Sequence, residues 1–175
     1  MENKIISKYI NLKNIPNILT LVRIILIIPI VFFLEVSNLN AVWYFLLIAG
    51  ISDYLDGYYA RKYKFITKIG SILDPLADKI IIIIPLIWLC KEDFIPYWSL
   101  ALITLREFII TAFRSSKNDG MPASKLAKYK TFFFLISLLL IFSPFQEINI
   151  INLGLIIYWI GFVLNIVSLI NYLPI

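Results

Sequence analysis

The chain has 175 residues, of which 61% are apolar (AVILMFWYC) and only 15% are charged. A soluble domain of this length cannot bury so much apolar surface, and disordered or fibrous chains have other compositions. One cysteine and no histidine exclude internal disulfides, Cys/His zinc sites and histidine acid–base catalysis. The remaining fold class is all-α integral membrane, and the net charge of +5 indicates contact with anionic lipid or charged substrates rather than nucleic acid.

The segment before the first apolar run carries lysines between apolar residues at near-helical spacing. Residues 4–17 therefore form either a short N-terminal interfacial helix, with the chain turning inward at Pro16, or a solvated tail. No small-residue cleavage site follows the first apolar run, so we expect that run to remain in the mature protein.

Six apolar segments are long enough, at roughly 20 residues each, to cross a bilayer as transmembrane helices. They are predicted at 17–36, 39–61, 69–90, 94–115, 124–145 and 150–171. Because the connections are short, we expect residues 1–175 to form a single membrane domain. Prolines 29, 85 and 144 lie within apolar runs, where they either kink or end a helix or are simple irregularities.

The basic residues predict how these spans are oriented. With the N-terminus inside, 15 of the 16 lysines and arginines lie on the cytoplasmic side, and only Lys91 lies outside. Tyr97 and Trp98 follow Lys91, and both are residue types that favour the membrane interface. The predicted topology is N-in/C-in.

Four of the eleven acidic residues fall within residues 53–78, where ionisable groups are costly. Asp53 and Asp56 are three positions apart at the end of the second span, and Asp74 and Asp78 are four apart at the start of the third. A tight hairpin would bring these acids together, and such a cluster must take up protons, basic partners or metal ions. Carboxylate oxygens favour Mg²⁺ or Mn²⁺, and a two-metal site suits phosphoryl transfer.

The same segment holds a pattern of eight specified residues over 26 positions. They are Asp53, Asp56, Gly57, Ala60, Arg61, Gly70, Asp74 and Asp78. This pattern resembles the signature of the CDP-alcohol phosphatidyltransferase family. The resemblance covers residues 14–135 and is greatest to the bacterial members that make phosphatidylglycerophosphate. The segments that carry it outside the signature are NIPNILTLVRI, DPLADK, LREF and the KYK at 128–130.

The resemblance implies an enzyme that transfers the phosphatidyl group of CDP-diacylglycerol to sn-glycerol 3-phosphate and releases CMP. It implies that Asp53, Asp56, Asp74 and Asp78 hold Mg²⁺ or Mn²⁺, with Asp78 also acting as the general base. It further implies a homodimer in the bacterial inner membrane, with the active site facing the cytoplasm.

Binding of CDP-diacylglycerol is implied for residues of the first two spans and the following loop. They are Asn17, Thr20, Gly57, Ala60, Arg61 and Thr67. Two structural alternatives remain: Arg61 is a boundary residue that extends to the interface, and Asn17 and Thr20 cap a helix.

The acceptor would be chosen by residues outside the signature. Arg106, Arg114, Lys128 and Lys130 lie where the fourth and fifth spans approach the cytoplasm. Arg106 and Arg114 are eight apart, so they share a helical face and could clamp a phosphate. A buried arginine suits an acceptor with its own phosphate, although Glu107 offers a purely structural salt bridge as the alternative.

Other interpretations remain open at this stage. Arg23 and Lys79 are either counter-charges for the carboxylates or residues that extend to the interface. The same chemistry could use another acceptor, such as inositol phosphate, serine or phosphatidylglycerol. A cation-coupled transporter is disfavoured because no repeat is visible and the acids lie away from the midplane, and an inactive scaffold is disfavoured by the intact signature. Small residues such as Gly154 and Gly161 are candidates for helix contacts.

Overall fold

The computed structural model describes the backbone of residues 2–63, 70–116 and 125–170 and the side chains of residues 18–55, 76–111 and 129–169. All regular structure in these ranges is helical. The helices are α1 (Glu2–Glu35), α2 (Leu39–Tyr63), α3 (Gly70–Lys91), α4 (Tyr97–Ser116), α5 (Lys125–Ile141) and α6 (Ile148–Ile170). The predicted order of helices is confirmed, and their ends agree closely with the prediction except at the start of α1 and the end of α5.

The first helix is longer than the predicted span. It runs from Glu2 to Glu35 through Pro16, so the predicted inward turn at Pro16 is absent. A proline removes one backbone hydrogen bond but holds φ near the helical value, so a helix can continue through it. Pro29 and Pro85 likewise lie inside α1 and α3, whereas Pro144 follows the end of α5.

Local hydrogen bonds explain where the helices end. At the end of α1, Ser37 adopts a positive φ of 55° and the Asn38 amide donates to the Phe33 carbonyl at 2.9 Å, which satisfies a carbonyl of the last turn. The Asn38 side chain then accepts from the amide of Ala41 at 3.2 Å and so caps α2. Beyond α3, Asp93 adopts a similar φ of 59°.

Contacts divide the chain into two compact units, residues 1–82 and 83–175, with the boundary inside α3. In the first unit, α1 packs against α2. Ile30 and Leu34 of α1 and Val42 and Leu46 of α2 are buried and belong to the core of this unit.

In the second unit, α6 packs against both α5 and α4. The Ser137 hydroxyl of α5 donates to the Gly154 carbonyl of α6 at 2.8 Å. The hydroxyls of Ser99 in α4 and Tyr158 in α6 lie 2.7 Å apart, and both residues are fully buried. Buried hydroxyl contacts of this kind fix the helices at specific positions along each other.

Within the part of the chain that the structure describes, two helices contain stretches long and apolar enough to cross a membrane, Ile18–Glu35 in α1 and Ile148–Leu169 in α6. The rest of the chain covers little of them, since only 28% and 22% of these stretches is buried. Leu39–Leu55 and Tyr129–Ile141 are shorter apolar helical stretches. The core helix of a soluble domain would instead be covered by its neighbours over most of its apolar face.

Candidate active site

A buried arginine connects three helices in the first unit. Arg23 of α1 is 1% exposed, and its Nη1 lies 3.1 Å from Oδ1 of Asp53 in α2. The same nitrogen hydrogen-bonds to Oδ1 of Asp78 in α3. Two signature carboxylates from different helices therefore meet at one guanidinium group, and Arg23 is a counter-charge, the first of its two predicted alternatives.

The two carboxylates at Arg23 are accessible from outside the protein. The side chains of Asp53 and Asp78 are 56% and 35% exposed. An incoming ion can therefore reach carboxylate oxygens that Arg23 has already brought close together. Hard oxygen donors of this type fit Mg²⁺ or Mn²⁺.

Thr20 lies one turn before Arg23 on α1 and is buried. It cannot cap a helix, because α1 begins at Glu2 and continues to Glu35. Asn17 also lies inside α1, although its side chain is outside the described set. The capping alternative is therefore wrong for both residues.

Most other signature residues lie outside the described side chains. Their backbone is in α2 or α3: Asp56, Gly57, Ala60, Arg61 and Asp74. Thr67 lies outside the described residues altogether. Among the side chains that are described, no group of three potential metal ligands occurs. The four-carboxylate metal site and the nucleotide-binding roles stay predictions.

The second unit contains its own buried polar cluster, formed by α4, α5 and α6. Arg106 Nη1 lies 2.8 Å from Oε1 of Glu107, and Lys130 Nζ bonds to the same oxygen. Arg106 Nη2 donates to the Ser168 hydroxyl at 2.7 Å, and Asn165 Nδ2 lies 3.4 Å from Glu107 Oε1. Two of the four predicted acceptor-binding cations are thus brought together.

The salt bridge considered as a structural alternative for Arg106 is present. Arg106 and Lys130 are only 3% and 5% exposed, so both cations require a buried partner, and Glu107 supplies it. The Arg114 and Lys128 side chains lie outside the described set, although their backbones belong to α4 and α5. Phosphate binding by these four residues stays a prediction.

Sequence reasoning missed Asn165 and Ser168, because the last span had shown only apolar character. Both are fully buried, and they lie three positions apart on one face of α6. A signal was available: polar residues at helical spacing inside an apolar span usually face other protein groups rather than lipid.

The sequence model of the CDP-alcohol phosphatidyltransferase family matches residues 13–167. The chain belongs to this family. The match extends past residue 135, where the resemblance read from the sequence ended, and reaches Asn165 in α6. The first buried cluster of this phosphatidyltransferase lies within the family match, and so does the second apart from Ser168.

Curated relatives are similar over nearly their whole length. The chain is 37% identical over 171 residues to a Rickettsia felis protein named CDP-diacylglycerol–glycerol-3-phosphate 3-phosphatidyltransferase, with 91% of this chain and 93% of the relative covered. It is 34% identical over 178 residues to the Bacillus subtilis protein of that name, with 89% and 91% covered. A Wigglesworthia glossinidia brevipalpis protein of the same name is 38% identical over 176 residues, with 91% and 92% covered.

Proposed function

We propose that this phosphatidyltransferase transfers the phosphatidyl group of CDP-diacylglycerol to sn-glycerol 3-phosphate, giving phosphatidylglycerophosphate and CMP. The observation that carries the proposal is the meeting of Asp53 and Asp78 at Arg23, because the chemistry requires carboxylates from two helices at one point. The names of relatives that match about nine-tenths of the chain support the choice of substrates.

The signature aspartates are proposed to hold the metal and to accept the proton. Asp53, Asp56, Asp74 and Asp78 would hold Mg²⁺ or Mn²⁺, which in a two-metal site supplies positive charge to neutralise phosphate oxygens. The Asp78 carboxylate takes the proton of the acceptor hydroxyl as its oxygen attacks the β-phosphorus of CDP-diacylglycerol, and CMP leaves. Arg23 holds Asp78 in position for this step.

Donor binding is assigned to residues of the first two helices and the loop that follows them. They are Asn17, Thr20, Gly57, Ala60, Arg61 and Thr67. Thr20 is already buried beside Arg23 on α1, which suits a side chain that contacts a substrate inside the protein rather than at its surface.

Acceptor phosphate binding is assigned to Arg106, Arg114, Lys128 and Lys130. The described part of this set has two buried cations against the one carboxylate of Glu107, so these three side chains carry a net charge of +1. A net positive charge in a buried site favours an acceptor that carries its own phosphate. It gives no advantage to an uncharged acceptor such as inositol.

The proposed location is the inner membrane of a bacterial cell, with six spans, both termini inside and the active site facing the cytoplasm. Support comes from the exposed apolar faces of α1 and α6, the distribution of basic residues and the bacterial origin of the relatives. We also propose a homodimer, which follows from the family resemblance.

The function is tested by CMP release from CDP-diacylglycerol with purified protein and Mg²⁺ or Mn²⁺. Glycerol 3-phosphate should support release, whereas inositol phosphate, serine and phosphatidylglycerol should not. Asp78→Asn should lower turnover by about 10²-fold or more, since the proton acceptor is lost. Asp93→Asn, at an exposed acid between α3 and α4, is the matched control and should keep full activity. Release with another acceptor alone, or substantial turnover by Asp78→Asn, would contradict the proposal.

A further inference from the structure

One carboxylate oxygen in the second unit accepts hydrogen bonds from three helices. Glu107 Oε1 is approached by Arg106 Nη1 of its own helix α4, by Lys130 Nζ of α5 and by Asn165 Nδ2 of α6. All three donors belong to residues that are at least nine-tenths buried. One carboxylate oxygen therefore contacts two cations and an amide from three helices.

A phosphate oxygen has the same charge and the same hydrogen-bonding requirement as this carboxylate oxygen. If Arg106 and Lys130 bind the acceptor phosphate, as the proposed function states, that phosphate and Glu107 share the same two cations, and each anion weakens the attraction of the cations for the other. A dianionic phosphate bound while Glu107 stayed in place would put two anionic groups against the same buried cations, and a buried site disfavours like charges at such close range.

A second feature of the cluster indicates what else the ligand carries. The amide oxygen of Asn165 is buried and has no hydrogen-bond partner among the described residues. Buried polar atoms are normally satisfied, so a hydroxyl group of a ligand would complete this site. A phosphate group for the cations and a hydroxyl for Asn165 together describe a hydroxylated phosphomonoester.

We propose that Glu107 and Asn165 determine acceptor specificity in this site. When no acceptor is present, the Glu107 carboxylate pairs with the cations of Arg106 and Lys130. This pairing lowers the affinity of the two cations for every other anion. A hydroxylated phosphomonoester displaces it because its hydroxyl also bonds to Asn165, whereas inorganic phosphate lacks the carbon-bound hydroxyl and competes poorly. The inference rests on the proposed acceptor role of Arg106 and Lys130.

Two substitutions of nearly unchanged shape test the proposal in opposite directions. Glu107→Gln removes the internal competitor, so the inhibition constant of inorganic phosphate against glycerol 3-phosphate should fall by at least about threefold. Asn165→Asp adds a second internal anion, so the KM for glycerol 3-phosphate should rise by at least about threefold. The KM for CDP-diacylglycerol should not change in either variant. Glu147→Gln, at an exposed acid before α6, is the control for charge and should leave all three constants unchanged.

A purely structural salt bridge gives a different result. It would lower kcat or the yield of folded protein in Glu107→Gln without making any anion bind more tightly. Unchanged or weaker inhibition by phosphate in folded Glu107→Gln would therefore overturn the proposal. If Glu107→Gln does not fold, Asn165→Asp decides, and an unchanged KM for glycerol 3-phosphate there overturns it.

Failure of the proposed function can be recognised separately. In that case the wild-type protein releases no CMP with glycerol 3-phosphate, whatever the variants do. Competition at Glu107 is then measured without turnover, as the rise in thermal unfolding temperature that inorganic phosphate produces. A larger rise in Glu107→Gln than in wild-type protein supports the internal competitor, and an equal or smaller rise overturns it.

Discussion

Arg23 is the residue on which the arrangement of the acidic site depends. It is almost completely buried, yet it contacts carboxylates that lie 30 and 55 positions further along the chain. A buried cation needs such partners, and the partners need the cation, because two carboxylates this close repel each other. The Nη1 nitrogen can contact both carboxylates because it carries two N–H donors.

Replacing Arg23 should therefore harm both stability and activity. Arg23→Gln leaves Asp53 and Asp78 without their shared counter-charge, and we expect a loss of about 1–3 kcal/mol in the free energy of unfolding, because both carboxylates are partly exposed and screened. CMP release should fall strongly as Asp78 loses its fixed position. Thermal unfolding in detergent and the CMP assay measure the two effects.

Arg23→Lys should retain more activity than Arg23→Gln, since it keeps the charge but not the planar group. Lys91→Gln removes an exposed cation at the end of α3 and serves as the control. Full activity in Arg23→Gln would show that the counter-charge is dispensable.

Single residues differ in how far their role could be predicted from sequence. The signature aspartates stand at fixed spacing within 26 positions, so their helical faces and their resemblance to a known family are visible in the chain itself. The packing of the helices decides which charged residues pair. It brings Arg23 to Asp53 and Asp78, and it brings Glu107 to Lys130. No local pattern specifies such partners, which explains why Arg23 and Arg106 each kept two interpretations.

At the level of helices, α6 packs tightly against α5 at Gly154. A Cβ atom at this position would lie 2.6 Å from Cγ1 of Ile141 and 3.1 Å from the Ser137 carbonyl oxygen. Gly161, two turns later on α6, is less confined, because its Cβ would lie 3.3 Å from the nearest atoms of Phe133 and Phe134. Small residues at such positions allow helix backbones to pack closely.

The two glycines should respond differently to the same substitution. Gly154→Ala should lower the free energy of unfolding by about 1–2 kcal/mol, because overpacking against backbone atoms exceeds the gain of about 1 kcal/mol in helix propensity. Gly161→Ala should leave the free energy of unfolding nearly unchanged, since the cost of its milder contacts is about equal to the same gain in helix propensity. Thermal unfolding of both variants in the same detergent measures the difference. Equal stability would mean that the α5–α6 contact adjusts without strain.

Helix positions were largely predictable because apolar length and turn residues are local properties. Asn38 marks the start of α2, and its capping bond to Ala41 is the kind that sequence predicts well. The start of α1 was not predictable in this way. Pro16 and the lysines before it indicated a break, but a proline inside a helix removes only one hydrogen bond, and α1 continues through it.

Across the whole molecule, large apolar side chains remain exposed on both units. In the first unit Ile28 is 72% exposed, and in the second Phe108 and Phe145 are 76% and 75% exposed. Soluble monomers rarely leave apolar patches of this kind uncovered. The proposed membrane location would cover such faces with lipid, and in that location the basic residues predict which ends of the helices face the cytoplasm.

The orientation can be tested with cysteine labelling, because the chain has one cysteine and Cys90 is 1% exposed. In a Cys90→Ala background, Glu92→Cys between α3 and α4 and Glu147→Cys before α6 should react with a membrane-impermeant maleimide in intact cells. Both positions are exposed and belong to connections with few basic residues.

Lys8→Cys and Lys117→Cys, at positions that the basic residues assign to the cytoplasm, should react only after the membrane is permeabilised. The wild-type chain is the control for labelling of Cys90 and should stay unlabelled in both conditions. The opposite pattern would invert the topology and place the signature aspartates at the outer face, away from the cytoplasmic supply of glycerol 3-phosphate that the proposed reaction requires. If the two outer positions, or the two inner positions, differ from each other in labelling, the number of spans between them differs from the prediction. The experiment therefore tests the membrane placement and the proposed function together, since a correctly oriented site is necessary for both.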